Sequence, residues 1–104
     1  MERGKNYMNK IEHLLTCLAE ECAEVQQAVA KALRFGLDDG YPCKTTTNAE
    51  DIAYEYKDLV AVMEMLELEI EGISKLANSE VDKRIKKEKV IHYMEYAKKR
   101  GTLI

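Results

Sequence analysis

Four acidic residues stand in two pairs with equal spacing, Glu21-x-x-Glu24 and Glu55-x-x-Asp58. Residues three apart on an α-helix share a face, so each pair directs two carboxylates toward one point. Carboxylate oxygens are the ligands that Mg²⁺ prefers, and two pairs from facing helices fit one or two such ions. The spacing therefore predicts a divalent metal site with Glu21, Glu24, Glu55 and Asp58 as ligands.

Glu55 is the most informative of these residues because it falls inside the apolar stripe of its predicted helix. A buried carboxylate without a partner is unfavourable, so a metal ion or a hydrogen-bonded Lys or Arg has to compensate it. Two metal ions can also activate water and neutralise the charge that develops in phosphoryl transfer. An acidic surface helix gives the same spacing by chance, so a merely solvated face stays the alternative.

Three helices are predicted to position these residues. Apolar residues at three- and four-residue steps predict the first helix from about Asn9 to Phe35, with Asn9 and Glu12 forming a capping box. Residues 36–48 are rich in Gly, Asp and Thr and predict a loop. A second helix should start at Asn48, which we expect to be its N-cap.

A third helix is predicted at about 80–100, after a break at Asn78 and Ser79, and Gly101 should end it. The second helix is expected to keep its apolar stripe as far as Ile73, with Gly72 weakening its end. No segment has the alternating pattern of a strand. The predicted fold class is therefore all-α, with antiparallel helices in a single domain over residues 1–104.

The length of the first helix predicts self-association. About 26 residues at 1.5 Å rise span roughly 39 Å, which two other helices of one small chain cover poorly. We therefore expect a helical bundle completed by oligomerisation, as a homodimer or a homotetramer.

Composition excludes several classes of protein. No stretch approaches the roughly 20 apolar residues of a membrane span. The sequence also lacks a basic start followed by an apolar run, which is the pattern that predicts a signal peptide. A cytoplasmic protein without membrane contact is expected.

Cys17, Cys22 and Cys43 are odd in number and lack a C-x-x-C pair, so we interpret them as reduced thiols.

Other catalytic chemistries have little support in the sequence. Di-iron bundles use Glu-x-x-His motifs, but neither His13 nor His92 has a Glu three residues before it. The chain has no glycine-rich phosphate loop of either common type. No Ser or Cys comes with an identifiable His partner.

Glu20-Glu21-x-x-Glu24, followed about thirty residues later by Glu55-x-x-Asp58, resembles the EExxE…ExxD signature of MazG-like nucleoside-triphosphate pyrophosphohydrolases. The resemblance covers about residues 10–70. It implies a MazG-like helical bundle that hydrolyses nucleoside or deoxynucleoside triphosphates between the α- and β-phosphates, giving monophosphate and pyrophosphate. It also implies Mg²⁺, or alternatively Mn²⁺, as cofactor. The implied metal ligands are the four residues of the two pairs, and Glu20, Glu21 and Glu24 are the implied catalytic residues.

A triphosphate substrate also needs cationic contacts. Residues 79–104 carry 8 basic and 4 acidic side chains, against 8 basic and 15 acidic in residues 1–78. An ordinary solvated basic face is the alternative interpretation. The candidate phosphate contacts are Lys31, Arg34, Lys83, Lys86 and Lys87.

Two other functions compete with hydrolysis. A non-catalytic helical dimerisation module would use the same carboxylates structurally. A nucleic-acid binder would use the basic third helix, but acidic residues interrupt the basic ones and no aromatic platform for stacking accompanies them. Nucleic acid is therefore an unlikely partner on this sequence.

Overall fold

The computed structural model describes residues 8–40 and 44–104. These residues form three long helices, one short helix and no strand, which confirms the all-α prediction. The chain divides into two compact units, Met1–Glu71 and Gly72–Ile104. The single domain over residues 1–104 stays a prediction. The helices are α1 (Lys10–Phe35), α2 (Asn48–Glu69), α3 (Ile73–Ala77) and α4 (Glu80–Arg100).

Helices α1 and α2 form an antiparallel hairpin. At one end, Lys10 in the first turn of α1 pairs with Glu69 in the last turn of α2, at 2.5 Å. At the other end, the Asn48 side chain donates to the backbone oxygen of Gly36, just past α1. Among residues 8–40 and 44–104, the buried apolar side chains all belong to these two helices, and they are Leu14, Ala28, Ala32 and Leu66.

The predicted start of α1 is confirmed, because Asn9 and Glu12 form a reciprocal capping box. At α2 the predicted first residue is right but the predicted cap is wrong. Thr47 is the N-cap, and its hydroxyl oxygen accepts a hydrogen bond from the backbone N–H of Glu50. Asn48 is 2 % exposed and ties the helix start to the end of α1 instead.

The second helix ends earlier than its apolar pattern predicts. It stops at Glu69, and Gly72 adopts a left-handed backbone with φ of 84° before the short α3 begins. Glycine tolerates that conformation because it has no Cβ. The apolar residues that predict one helix as far as Ile73 are therefore divided between α2 and α3.

In the second unit, Ser79 caps α4 by accepting from the backbone N–H of Asp82, and Gly101 ends it with φ of 80°. Both residues were predicted in these places. None of the side chains of α4 is buried. Its apolar side chains Val81, Ile85 and Met94 are between 44 % and 55 % exposed.

Apolar side chains are also exposed on the first unit. Leu15 is 46 % exposed, Leu33 83 % and Leu68 88 %. Cys22 is exposed too and, like Cys17, is a free thiol; Cys43 lies outside the described residues. The predicted completion of the bundle by oligomerisation stays a prediction. Among residues 8–40 and 44–104, no helix combines the length and hydrophobicity needed to cross a membrane.

Candidate metal centre

The hairpin brings three of the four predicted ligands together. Glu21 and Glu24 on α1 and Glu55 on α2 each offer a carboxylate oxygen, and these atoms lie within 4.8 Å of one another. Ligand oxygens at 2.0–2.1 Å from an octahedral Mg²⁺ are roughly 3 to 4 Å apart. Small rotamer changes would therefore let the three carboxylates share one ion.

Two oxygens of this cluster lack a hydrogen-bond partner. Oε2 of Glu21 and Oε2 of Glu55 are buried, and no described residue bonds to either atom. Buried polar groups in folded proteins are nearly always satisfied by protein, water or an ion. The two oxygens therefore need a partner from outside the described residues, which a water molecule or a bound cation can supply.

Repulsion among the carboxylates of the cluster also favours a bound cation. Burial raises the pKa of the Glu21 carboxyl above its usual value, and repulsion from Glu24, Asp58 and Glu20 raises it further. The pKa of Glu55 is also raised, first by a hydrogen bond with the Glu24 side chain and then by burial and the neighbouring negative charges. A divalent cation would offset this excess of negative charge.

Asp58 and Glu20 lie outside the close group. The Asp58 side chain is 50 % exposed, and its Oδ1 lies 3.7 Å from Nζ of Lys57. Its charge nevertheless reaches Glu21 and Glu55, whose pKa values it raises. Glu20 is exposed on α1. The assignment of Asp58 as a fourth ligand and of Glu20 as a catalytic residue stays a prediction.

A cavity of about 330 Å³ adjoins the carboxylates. Its wall includes Glu24 and Glu55 from the cluster and one predicted phosphate contact, Lys31. The other residues of its wall are Gln27, Ala28 and Asp51. Carboxylates and an ammonium group in one cavity suit a ligand that carries both a metal ion and a phosphate chain.

The remaining predicted phosphate contacts are not among the residues that line this cavity. The guanidinium of Arg34 lies 4.8 Å above the centre of the Phe35 ring. Lys83, Lys86 and Lys87 belong to α4, in the second unit, where Lys83 pairs with Glu80 at 3.4 Å. Their role as phosphate contacts stays a prediction.

Sequence reasoning missed Asp51 and the loop residues that hold it. Nζ of Lys44 donates to Asp51 Oδ2 at 2.5 Å, and the Thr46 hydroxyl donates to Asp51 Oδ1 at 2.7 Å. Hydrogen bonds from these two side chains, and then the charges of Lys44 and Lys31, lower the pKa of Asp51. One signal was available, since Asp51 precedes Glu55 by four residues and so shares its helix face.

We expect Asp51→Asn to lower the free energy of unfolding by about 1–3 kcal/mol at neutral pH, because Lys44 loses its charged acceptor. The pKa of Asp51 is lowered from 3.8, so this stabilisation is present above pH 3.8 and is lost as the pH falls through the depressed value. Urea denaturation of both proteins from pH 7 to pH 2.5 measures it. A constant difference at all pH values would contradict the ion pair.

The resemblance to MazG-like enzymes rests on the spacing of acidic residues, and three of those residues converge in the hairpin. The cluster, the unsatisfied oxygens and the adjoining cavity are features of the fold itself and do not depend on that resemblance. In the comparisons with known proteins, no family model, no curated protein and no solved structure matches this chain.

Proposed function

We propose that this protein is a Mg²⁺-dependent nucleoside-triphosphate pyrophosphohydrolase, which converts a nucleoside or deoxynucleoside triphosphate to the monophosphate and pyrophosphate. The observation that carries the proposal is the convergence of Glu21, Glu24 and Glu55, with two buried oxygens unsatisfied, beside a cavity that contains Lys31. Mn²⁺ is the alternative cofactor, because carboxylate oxygens suit both metals.

In this proposal the acidic residues bind the metal and a basic residue contacts the phosphates. Glu21, Glu24 and Glu55 hold the metal, with Asp58 as the proposed fourth ligand. When bound, Mg²⁺ polarises phosphate oxygens and increases the acidity of its water. Glu20 helps to position the attacking water. Lys31 neutralises negative charge on the phosphate chain, since phosphoryl transfer depends mainly on positioning and charge stabilisation.

Product analysis tests the proposal. Each of the common nucleoside and deoxynucleoside triphosphates is incubated with the protein and Mg²⁺, and the products are separated by ion-exchange chromatography. Monophosphate and pyrophosphate in equal amounts, dependent on the metal, support cleavage at the α–β bond. Diphosphate with orthophosphate, or no product from any of these substrates, would exclude the proposed reaction.

A non-catalytic dimerisation module is the second candidate function. The observation that favours it is the exposure of Leu33 and Leu68 on the hairpin, which a second copy of the chain would cover. Oligomerisation is also part of the enzyme proposal, so a dimer alone does not separate the two functions. Light scattering on the protein as it elutes from a size-exclusion column should give two or four times the chain mass of 11.9 kDa.

We expect Lys31→Met to raise KM for the triphosphate about tenfold, because the phosphate chain loses one charge-assisted hydrogen bond. Metal binding should be unchanged, since the carboxylate cluster keeps its three members. Lys10→Met is the matched control, because Lys10 is on the same helix about 32 Å away at 1.5 Å per residue. Steady-state kinetics measure both variants, and equal kinetics for the two would contradict the role of Lys31.

A further inference from the structure

Asp51 lines the cavity beside the carboxylates and is ion-paired with a lysine from the loop before α2. Lys44, from the loop that precedes α2, lies 2.5 Å from Asp51 through its Nζ. Lys31, from α1, lines the cavity together with Asp51. Hydrogen bonds from Lys44 and Thr46 lower the pKa of Asp51, and the charges of Lys44 and Lys31 lower it further. The Asp51 carboxylate therefore shares the cavity wall with Lys31 and is ion-paired with Lys44.

The start of α2 does not itself offer free donors to an anion at this end. The backbone N–H of Asn48 donates to the oxygen of Asp39, and that of Ala49 donates to the oxygen of Leu37. The backbone N–H of Glu50 donates to the hydroxyl of Thr47. Among the described residues, side-chain donors are carried by Lys31 and Gln27 in the cavity wall and by Lys44, which is bonded to Asp51.

Lys44 keeps the capacity to bind a further acceptor. An ammonium group has three N–H donors, and toward the described residues Lys44 uses two of them, on Asn48 Oδ1 at 2.9 Å and on Asp51 Oδ2. Its side chain is 24 % exposed, so it is held in place but still reachable. A phosphate oxygen is a strong acceptor for such a donor.

We propose that Lys44, together with Lys31, binds the terminal phosphate of a bound triphosphate, so that the site selects triphosphates over diphosphates. This inference rests on the proposed function. Cleavage at the α–β bond requires that bond to lie at the carboxylate cluster. The β- and γ-phosphates then extend along the cavity past Lys31 toward Asp51, and Lys44, the ion-pair partner of Asp51, receives the last of them.

A purely structural role for Lys44 is the competing explanation, since it ties the loop to α2 through Asp51. The two explanations differ in what Asp51→Asn does. If Lys44 only supports the loop, Lys44→Met and Asp51→Asn break the same ion pair and weaken ligand binding alike. If Lys44 binds phosphate, Asp51→Asn removes a competing anion and strengthens binding.

Calorimetric titration of the full chain with Mg²⁺ and inorganic tripolyphosphate, and separately with Mg²⁺ and pyrophosphate, tests the inference. Lys44→Met should weaken tripolyphosphate binding about tenfold and pyrophosphate binding by less than about threefold. Asp51→Asn should tighten tripolyphosphate binding, and Lys44→Arg should restore most of the loss. Lys10→Met serves as the control for total charge.

Three results would overturn the inference: equal weakening of both ligands by Lys44→Met, weakening of tripolyphosphate by Asp51→Asn, or no binding of tripolyphosphate to the wild type. Melting temperatures without ligand show whether each variant is folded. If Lys44→Met does not fold, the comparison of wild type with Lys44→Arg still tests the role of the charge. Failure of the proposed function is seen separately, as absence of nucleotide hydrolysis by a wild-type protein that binds tripolyphosphate in the expected pattern.

Discussion

Glu55→Gln should lower the rate of Mg²⁺-dependent hydrolysis by at least about a hundredfold while the protein stays folded. The glutamine keeps the size of the side chain but loses the charge that holds the cation. A loss of this size is typical when one preorganised electrostatic group is removed from an active site. Steady-state assays of pyrophosphate release measure it.

The stability of the same variant provides a second readout. Without metal, Glu55 faces the negative charges of Glu24, Asp58 and Glu21, and its pKa is raised. A neutral amide removes that repulsion, so the melting temperature without Mg²⁺ should be unchanged or higher. A large fall would instead mean that the carboxylate supports the fold.

Glu64→Gln is the matched control for Glu55→Gln. Glu64 is on the same helix and exposed, and it is not part of the carboxylate cluster. This variant should keep full activity. Full activity in Glu55→Gln, or an equal loss in both variants, would count against Glu55 as a metal ligand.

Mg²⁺ should raise the melting temperature of the wild-type protein. A ligand at one hundred times its dissociation constant stabilises the native state by about 2.7 kcal/mol. For a domain of this size that corresponds to roughly 10–20 °C. Differential scanning calorimetry with and without Mg²⁺ at matched ionic strength measures the shift.

The double variant Glu21→Gln, Glu55→Gln should lose this metal-dependent shift, because it removes the two carboxylates whose buried oxygens are unsatisfied. Glu64→Gln should retain it. The dimerisation module predicts no effect of Mg²⁺ on any of these proteins. Calorimetry therefore separates the two candidate functions without any need to know the nucleotide substrate.

Helix positions were predictable because they depend on local signals. The Asn9–Glu12 capping box and the left-handed Gly101 are read from a few neighbouring residues, and both are observed. The cap of α2 was harder, because Thr47 and Asn48 are adjacent and both residue types favour that position. The fold decides between them, since only Asn48 reaches Gly36 across the hairpin.

The end of α2 was harder to predict for a related reason. The apolar pattern continues through Ile70 to Ile73 without a change of period. Gly72 weakens a helix but does not forbid it, and only its observed left-handed backbone shows that the helix has already ended. Periodicity gives the face of a helix more securely than its last residue.

The carboxylate cluster followed from spacing, whereas the ion pair between Lys44 and Asp51 did not. Glu55 was singled out by a charge in an apolar stripe, and it is half-buried beside Glu21. Lys44 carries no such signal, because its contact with Asp51 depends on the path by which the loop returns to α2. Contacts made by loops are set by tertiary structure and leave no periodic pattern in the sequence.

Binding of Mn²⁺, followed through the electron paramagnetic resonance signal of the free ion, tests most directly whether the carboxylates bind a divalent cation. We predict saturable binding to the wild type, displacement by Mg²⁺, and loss of binding in the double variant Glu21→Gln, Glu55→Gln. Absence of saturable binding up to millimolar Mn²⁺, or equal binding by the double variant, would contradict a metal centre at Glu21, Glu24 and Glu55.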